Sequence, residues 1–234
     1  MVKAVFCRLI DRIVIREFLK HIALSWGVGQ TSVGQGVSML EVRQARVGDA
    51  VAIAALAHEV SYERYRSLNY TEAELSRKGF LLYPLTAQSD TEANYAERIE
   101  KSSHFWVAMY GDEAAAFLMA YTFDVLESLE LKTDNDRGVI DFFRKENDYV
   151  PNCIYASQAA IAPKHRRHRP FRGLVEDMSQ KAPACPAMIA EIAQRPHKNV
   201  ASSAFAKRSA KMKLVFHRHK DNGARVSGTF IRVF

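Results

Sequence analysis

The chain has few of the features that mark secreted, membrane-spanning or metal-binding proteins. Only three of its 234 residues are cysteines, namely Cys7, Cys153 and Cys185. An odd number of widely spaced cysteines argues against a disulfide scaffold, a zinc site or a redox motif. No apolar run approaches the roughly 20 residues of a membrane-spanning helix. We therefore expect a soluble, cytoplasmic protein with no metal site and no membrane contact.

The chain does carry a pronounced asymmetry of charge. The net charge is +7, but residues 164–234 contain 16 Lys and Arg against four acidic residues, so this segment is +12 and the remainder −5. Such a segment suggests an anionic partner, either the phosphates of a cofactor or a nucleic acid, although a solvated basic face would need no partner. A nucleic acid ranks last, because no cluster of aromatic residues accompanies the basic ones.

The chain divides into an extension and one domain. Residues 1–38 combine a helical pattern with the linker-like string GVGQTSVGQG, so they are predicted to lie outside the domain. Residues 39–234 are long enough to bury a substantial core, because 48% of the whole chain is hydrophobic.

The pattern within the domain predicts an α/β protein with a mixed sheet. Residues 48–65 repeat apolar residues at helical spacing, with Asp49 placed to cap the helix. Residues 104–110 and 114–122 read as two strands joined by Gly-Asp-Glu, which predicts a tight hairpin. Further strands are predicted at 40–45, 152–162, 186–193, 213–218 and 229–234, and further helices at 134–147, 170–182 and 199–210.

One unit of this pattern could hold a phosphate group. Residues 152–162 are apolar on both faces, as in a central strand, and run into the basic string KHRRHRPFRG. Pro170 stands where a helix can begin, because proline is tolerated in a first helical turn. The unpaired N–H groups of a helix N-terminus attract anions. A plain exposed loop remains the alternative interpretation.

Several strings in this order resemble the GNAT superfamily of acyl-CoA N-acyltransferases. EVRQARVGDAVAIAAL resembles the first strand and helix of that family, HFWVAMYGDEAAAFLMAY the next two strands, and CIYASQAAIAP the fourth strand. Ile161 and Arg166 stand at the family spacing of a Val and an Arg or Gln. In EIAQRPHKNVASSAF, the family's Asn, Ser and aromatic positions fall on Asn199, Ser202 and Phe205.

The resemblance implies a GNAT-like fold, in which helices flank a central mixed sheet whose fourth and fifth strands splay apart. It also implies that acetyl-CoA is the acyl donor. The pantetheine arm would then meet the backbone of Ala160, Ile161 and Ala162, and Asn199 and Ser202 would belong to the same site. The pyrophosphate would rest on a loop and helix start that include Arg166, Arg167, His168, Arg169 and Phe171.

The loop departs from the family pattern at two positions. Arg169 and Phe171 stand where the family has a glycine and a small residue, and Pro170 removes one N–H. Glycine lets a backbone approach a phosphate closely, which a large side chain hinders. We therefore expect weakened CoA binding, and we predict that glycine at both positions would tighten it. The family's catalytic Tyr is also replaced, by Ala206.

Most candidate catalytic residues lie on the two strands that are expected to splay. Glu191 on the fifth strand and Tyr155 on the fourth are the first candidates, and Ser157 on the fourth strand and His104 before the second strand are further candidates for the general base. Glu191 is either a base or a buried carboxylate that is paired with one of the many cations. Water, Cys185 or another side chain would have to act as the general acid, because Ala206 cannot.

The sequence thus predicts an acetyl-CoA-dependent N-acetyltransferase in which an amine attacks the thioester directly. A weakened or inactive acyl-CoA-binding protein is the first alternative, and a basic nucleic-acid-binding protein is the second. The expected partners are acetyl-CoA and an unidentified amine acceptor, and a homodimer is the candidate assembly.

Overall fold

The structure is a computed structural model that describes most of the domain. It describes residues 40–81, 91–129, 153–168, 170–181, 187–208, 210–220 and 223–233. The predicted extension at 1–38 and the predicted helix at 134–147 therefore lie outside the described residues.

Seven strands and seven α-helices make up the described part of the chain. The strands are β1 Leu40–Gln44, β2 Phe105–Tyr110, β3 Glu113–Thr122, β4 Cys153–Ile161, β5 Ala187–Arg195, β6 Lys213–Lys220 and β7 Arg225–Val233. The helices are α1 Ala50–Glu59, α2 Tyr62–Ser67, α3 Glu72–Lys78, α4 Thr91–Lys101, α5 Phe123–Ser128, α6 Pro170–Lys181 and α7 Val200–Arg208. Among the described residues, no helix is long and apolar enough to cross a membrane.

The strands form one mixed sheet in the order β1-β2-β3-β4-β5-β7-β6. β4 and β5 are parallel, and the other neighbouring pairs are antiparallel. The predicted hairpin of β2 and β3 is confirmed, with Gly111 at a φ of 58° in its turn. The predicted mixed sheet with a central β4 is also confirmed.

Each face of the sheet buries its own apolar core because strand side chains alternate between the faces. On the first face, Phe117, Tyr155 and Ile189 pack with residues of α1 and α4. On the second face, Leu118 and Met188 pack with residues of α6 and α7. Helices thus cover both sides of β4, which explains its continuous apolar sequence.

The helix predicted over 48–65 is interrupted. α1 ends at Glu59 and α2 begins at Tyr62, because the Ser61 hydroxyl caps a new helix by accepting from the N–H of Arg64 at 3.0 Å. Asp49 occupies the predicted N-cap position of α1, but its side chain makes no cap bond to that helix. Its carboxylate accepts two bonds from the Arg43 guanidinium, at 2.6 and 2.9 Å, rather than capping α1.

Candidate functional site

β4 and β5 pair over only part of their length. The parallel register runs from Cys153 opposite Ala187 to Ala156 opposite Ala190, and beyond this point β5 continues beside β7 alone. The separation coincides with a bulge in β4, because Gln158 pairs with Met119 and Ala156 with Ala120, so that Ser157 is the extra residue between the two pairs. A gap therefore opens between the two central strands.

Backbone groups of β4 line this gap. The N–H of Ala162 donates to the carbonyl of Ala115 at 2.9 Å, so it is directed towards β3. Because consecutive strand residues direct their polar groups to opposite edges, Ala160 also faces β3, whereas Ala159 and Ile161 face the gap. Ile161 thus lies at the gap, as expected for a backbone contact with the pantetheine arm. The backbone groups of Ala160 and Ala162 face β3 instead, and those of Ala159 face the gap in their place.

A cavity of about 720 Å³ occupies the gap. Its floor includes both strands, and its walls include α2, the end of α3, residues 79–81 and the start of α7. The charged side chains that line it are mostly cationic, namely Arg77, Lys78, Arg166, Arg195 and Arg225, against Glu63 and Glu191. Such a cavity suits an elongated ligand that bears anionic groups.

The inner wall of the cavity is apolar. Phe171, in the first turn of α6, has 4% of its surface exposed, and its ring packs edge-on against Phe205 with centroids 4.4 Å apart. Leu118 and Met188 from the sheet line the same wall. Phe171 is therefore a core residue that also borders the cavity.

The basic side chains of the turn that follows β4 have different surroundings. Glu113 of the β2–β3 hairpin binds Lys164 at 2.7 Å and lies 3.4 Å from His165, which holds both residues against the hairpin. Among the described side chains of the turn, Arg166 is the one that lines the cavity. Burial raises the pKa of Tyr65 on α2, and the neighbouring Arg166 guanidinium opposes this shift.

Asn199 links the start of α7 to residues 79–81 across the cavity. Its Oδ1 accepts from the N–H of Ser202 at 3.0 Å, and its Nδ2 donates to the carbonyl of Phe80 at 2.8 Å. Gly79 has a φ of +77°, and a Cβ there would lie 3.0 Å from the Cβ of Ala201. Glycine thus permits the close approach of residues 79–81 to α7.

Glu191 points into the protein and is paired. The Arg218 guanidinium on β6 contacts both oxygens of its carboxylate through Nε and Nη2. The two side chains are only 2% and 5% exposed, for Glu191 and Arg218 respectively. The pair is therefore a buried bidentate ion pair at the cavity wall.

Solved structures that share this architecture are acetyltransferases. A polyamine N-acetyltransferase of Drosophila melanogaster aligns with a TM-score of 0.54 at 13% identity, covering 84% of this chain and 100% of that one. A GNAT-family acetyltransferase of Bacillus cereus aligns with a TM-score of 0.50 at 10% identity, covering 83% and 97%. The chain has the GNAT acetyltransferase fold.

An acetyltransferase of Salmonella typhimurium that contains acetyl-CoA also shares the GNAT fold with this chain. It aligns with a TM-score of 0.50 at 15% identity, covering 84% of this chain and 94% of that one. The sequence matches no known protein-family model and no curated protein. The likeness therefore concerns the fold, and it confirms the expected α/β architecture.

The structure brings most of the predicted site residues to one cavity of this GNAT fold. The described residues among them that line it are Ala160, Ile161, Arg166, Phe171, Glu191, Asn199 and Ser202. Tyr155 does not line it, because its side chain is 1% exposed and packs near Phe123 in the first core. Arg167 and His168 lie in a 3₁₀ turn over Pro163–His168, and Arg169 lies outside the described residues.

A cluster of three side chains that the sequence did not reveal lies beside the cavity, towards the first face of the sheet. The Tyr62 hydroxyl donates to Glu72 Oε1 at 2.7 Å, and His197 Nδ1 lies 3.2 Å from Glu72 Oε2. The Tyr62 and His197 rings are 4.4 Å apart, and both residues line the cavity. Glu72 and His197 are 125 residues apart in the chain, so no local pattern could have paired them.

Proposed function

We propose that this protein is an acetyl-CoA-dependent N-acetyltransferase that transfers the acetyl group directly to an amine. The observation that carries the proposal is the gap between β4 and β5, where Ala159 and Ile161 direct backbone groups away from β3 and towards a cavity of about 720 Å³. Pantetheine contains two amide groups, which can bond to such an exposed strand edge as a neighbouring strand would.

The charges around the cavity fit the other end of acetyl-CoA. Arg166 at the exit of β4 and the start of α6 supply cationic and N–H groups for phosphate oxygens. Arg77, Lys78, Arg195 and Arg225 add to the positive potential of the lining. We expect the affinity for acetyl-CoA to fall as salt is added, because exposed phosphate contacts are screened.

Acetyl-CoA would supply a thioester carbonyl that is open to attack by an amine. The chain would hold the donor in the gap, and a backbone N–H beside the Ser157 bulge could polarise the carbonyl oxygen. The acceptor would approach from the first face of the sheet, where Tyr62, Glu63 and His197 line the cavity. Orienting the two reactants is itself a large part of the expected rate enhancement.

The test measures donor binding and acetyl transfer separately. Calorimetry and thermal unfolding with acetyl-CoA, with CoA and with ATP as an anionic control report binding, because a ligand of the native state raises Tm. Release of the CoA thiol in the presence of a panel of amines reports transfer. No saturable binding of acetyl-CoA would contradict the proposal at its first step.

A second candidate is a protein of the same fold that binds acyl-CoA without transferring the acyl group. Ala206, which is buried beside Phe205, stands where the family places a catalytic hydroxyl. Binding of acetyl-CoA with no thiol release from any amine would favour this candidate. Cytoplasmic location and a homodimeric state stay predictions.

A further inference from the structure

Acetyl transfer to an amine requires a group that removes a proton. An alkyl ammonium group is protonated at neutral pH and has no lone pair with which to attack a carbonyl. Among the described residues that line the cavity, three have side chains that can accept a proton at neutral pH: Glu63, Glu191 and His197. The choice among them follows from what each one already contacts.

Two of the three are poorly placed for this role. Arg218 occupies both carboxylate oxygens of Glu191, and both side chains are buried, so proton transfer there would break a buried ion pair. Glu63 is exposed in the first turn of α2, so its carboxylate stays in contact with solvent. Glu191 is therefore held by its ion pair, and the carboxylate of Glu63 is not shielded from solvent.

Glu72 and Tyr62 hold the ring of His197 in one orientation. Its Nδ1 lies 3.2 Å from Glu72 Oε2 and 3.3 Å from the Tyr62 hydroxyl, and its ring stacks at 35° to that of Tyr62. The Tyr62 hydroxyl donates to the other oxygen of Glu72, at 2.7 Å. The imidazole is therefore fixed by one hydrogen-bonded edge and one ring face.

This arrangement selects the tautomer of His197. A carboxylate accepts hydrogen bonds only, so in the neutral imidazole the nitrogen that faces Glu72 carries the proton, and Nε2 on the far side of the ring has the lone pair. The hydrogen bond from Tyr62 lowers the pKa of Glu72, which keeps that side chain a carboxylate. The same acid–imidazole arrangement orients general bases in hydrolases.

We propose that Nε2 of His197 is the general base that accepts the proton of the acceptor ammonium group, directly or through one water molecule, and that Glu72 and Tyr62 are its positioning residues. The inference rests on the proposed acetyltransferase function. The neutral amine nitrogen then forms a bond to the thioester carbonyl carbon, and the carbon–sulfur bond breaks. The amine nitrogen loses its second proton, and the departing CoA thiolate takes up one proton, so the reaction releases one proton overall.

Other charged groups also surround the cluster. Arg66 interacts with both Glu72 and Tyr62, and Glu63 interacts with Tyr62. Arg195 lies two residues before His197 in the chain and lines the same cavity. A pH profile of the reaction will therefore report these charged groups together.

The test compares acceptors that need a base with one that does not. Benzylamine and putrescine are protonated at neutral pH, whereas hydroxylamine is largely neutral and also attacks thioesters. We expect His197→Gln to lower kcat/KM for the protonated amines by about 10²–10⁴-fold, as is typical for loss of a general base, with little change for hydroxylamine. His219→Gln, at an exposed position on β6, is the matched control.

Glu72→Gln tests the positioning role through a readout other than activity. Nitrogen-15 NMR of the imidazole should show the Nδ1-protonated tautomer in the wild-type protein and a mixture in Glu72→Gln. The same variant should shift the acidic limb of the pH profile of kcat/KM, which a purely structural contact would leave in place. Calorimetry with acetyl-CoA should show unchanged affinity in both variants.

Several results would overturn the assignment. Equal losses with hydroxylamine and with the protonated amines would make His197 a structural residue, and no loss with either would remove it from the reaction. Wild-type transfer to hydroxylamine alone, or an Nε2-protonated tautomer, would also exclude a base at His197. In contrast, failure of the wild-type protein to bind acetyl-CoA would refute the proposed function itself.

Discussion

Replacing Phe171 with alanine tests whether its ring belongs to the core or obstructs a phosphate cradle. The sequence predicts that glycine here and at position 169 would let the backbone approach the pyrophosphate and tighten acetyl-CoA binding. In the structure the ring is 4% exposed and packs edge-on against Phe205, with centroids 4.4 Å apart. We therefore expect Phe171→Ala to destabilise the fold and to widen the inner wall of the cavity.

The magnitude follows from the burial of the ring. Truncating a buried Phe to Ala costs about 3–5 kcal/mol of unfolding free energy, because transfer energy is lost and a cavity remains. In a domain of this size each kcal/mol corresponds to about 2–4 °C, so Tm should fall by roughly 6–20 °C. The edge-on contact accounts for about 0.5–1.5 kcal/mol of this loss.

Urea unfolding of Phe171→Ala, Phe205→Ala and the double variant measures both quantities. Phe205 is half-buried, so its truncation should cost less, and the double variant should lose less than the sum of the two single losses by the coupling energy. Calorimetry with acetyl-CoA is run on the same proteins. A loss below about 1 kcal/mol combined with tighter acetyl-CoA binding would refute the reasoning, because the ring would then stand over the cradle.

Three further predictions concern buried polar groups. Glu191→Ala should cost about 3–5 kcal/mol in urea unfolding, since Arg218 keeps a buried charge, and Glu191→Ala with Arg218→Met should recover much of that loss; no recovery would contradict the ion-pair account. Asn199→Ala should cost about 1–3 kcal/mol and accelerate amide hydrogen exchange in residues 79–81, because the cap and the bond to Phe80 are both lost; unchanged exchange would argue against that role. Burial lowers the pKa of His104, so the unfolded chain takes up a proton that the folded chain resists, and stability should fall as pH drops below about 6.5. His104→Asn should reduce the stability difference between pH 7 and pH 5, and an unchanged difference would contradict this assignment.

The order of elements was accessible from the sequence because it depends on local chemistry. Pro170 begins α6 as the sequence predicted, because its fixed φ suits a first helical turn and its missing N–H is not needed there. Asn199 caps α7 as predicted, because its short side chain reaches the N–H three residues on. The β2–β3 hairpin follows from two apolar strands around a glycine turn.

The break between α1 and α2 could not be predicted from the spacing of apolar residues. The apolar spacing of residues 48–65 continues through Val60 and Ser61, so the break between α1 and α2 left no signal in the periodicity. The break depends on the Ser61 cap and on the bond from the Leu81 N–H to the Val60 carbonyl at 3.0 Å. That second contact comes from Leu81, 21 residues further along the chain than Val60.

The site itself was decided by tertiary structure. Glu191 and Arg218 meet because β7 lies between their strands, which lets two side chains on one face of the sheet approach each other. Tyr62, Glu72 and His197 meet because the α2–α3 segment packs against the start of α7. The residue types were visible in the sequence, but partners 27 residues apart (Glu191 and Arg218) or 125 residues apart (Glu72 and His197) are set by sheet order and helix packing, which no local periodicity encodes.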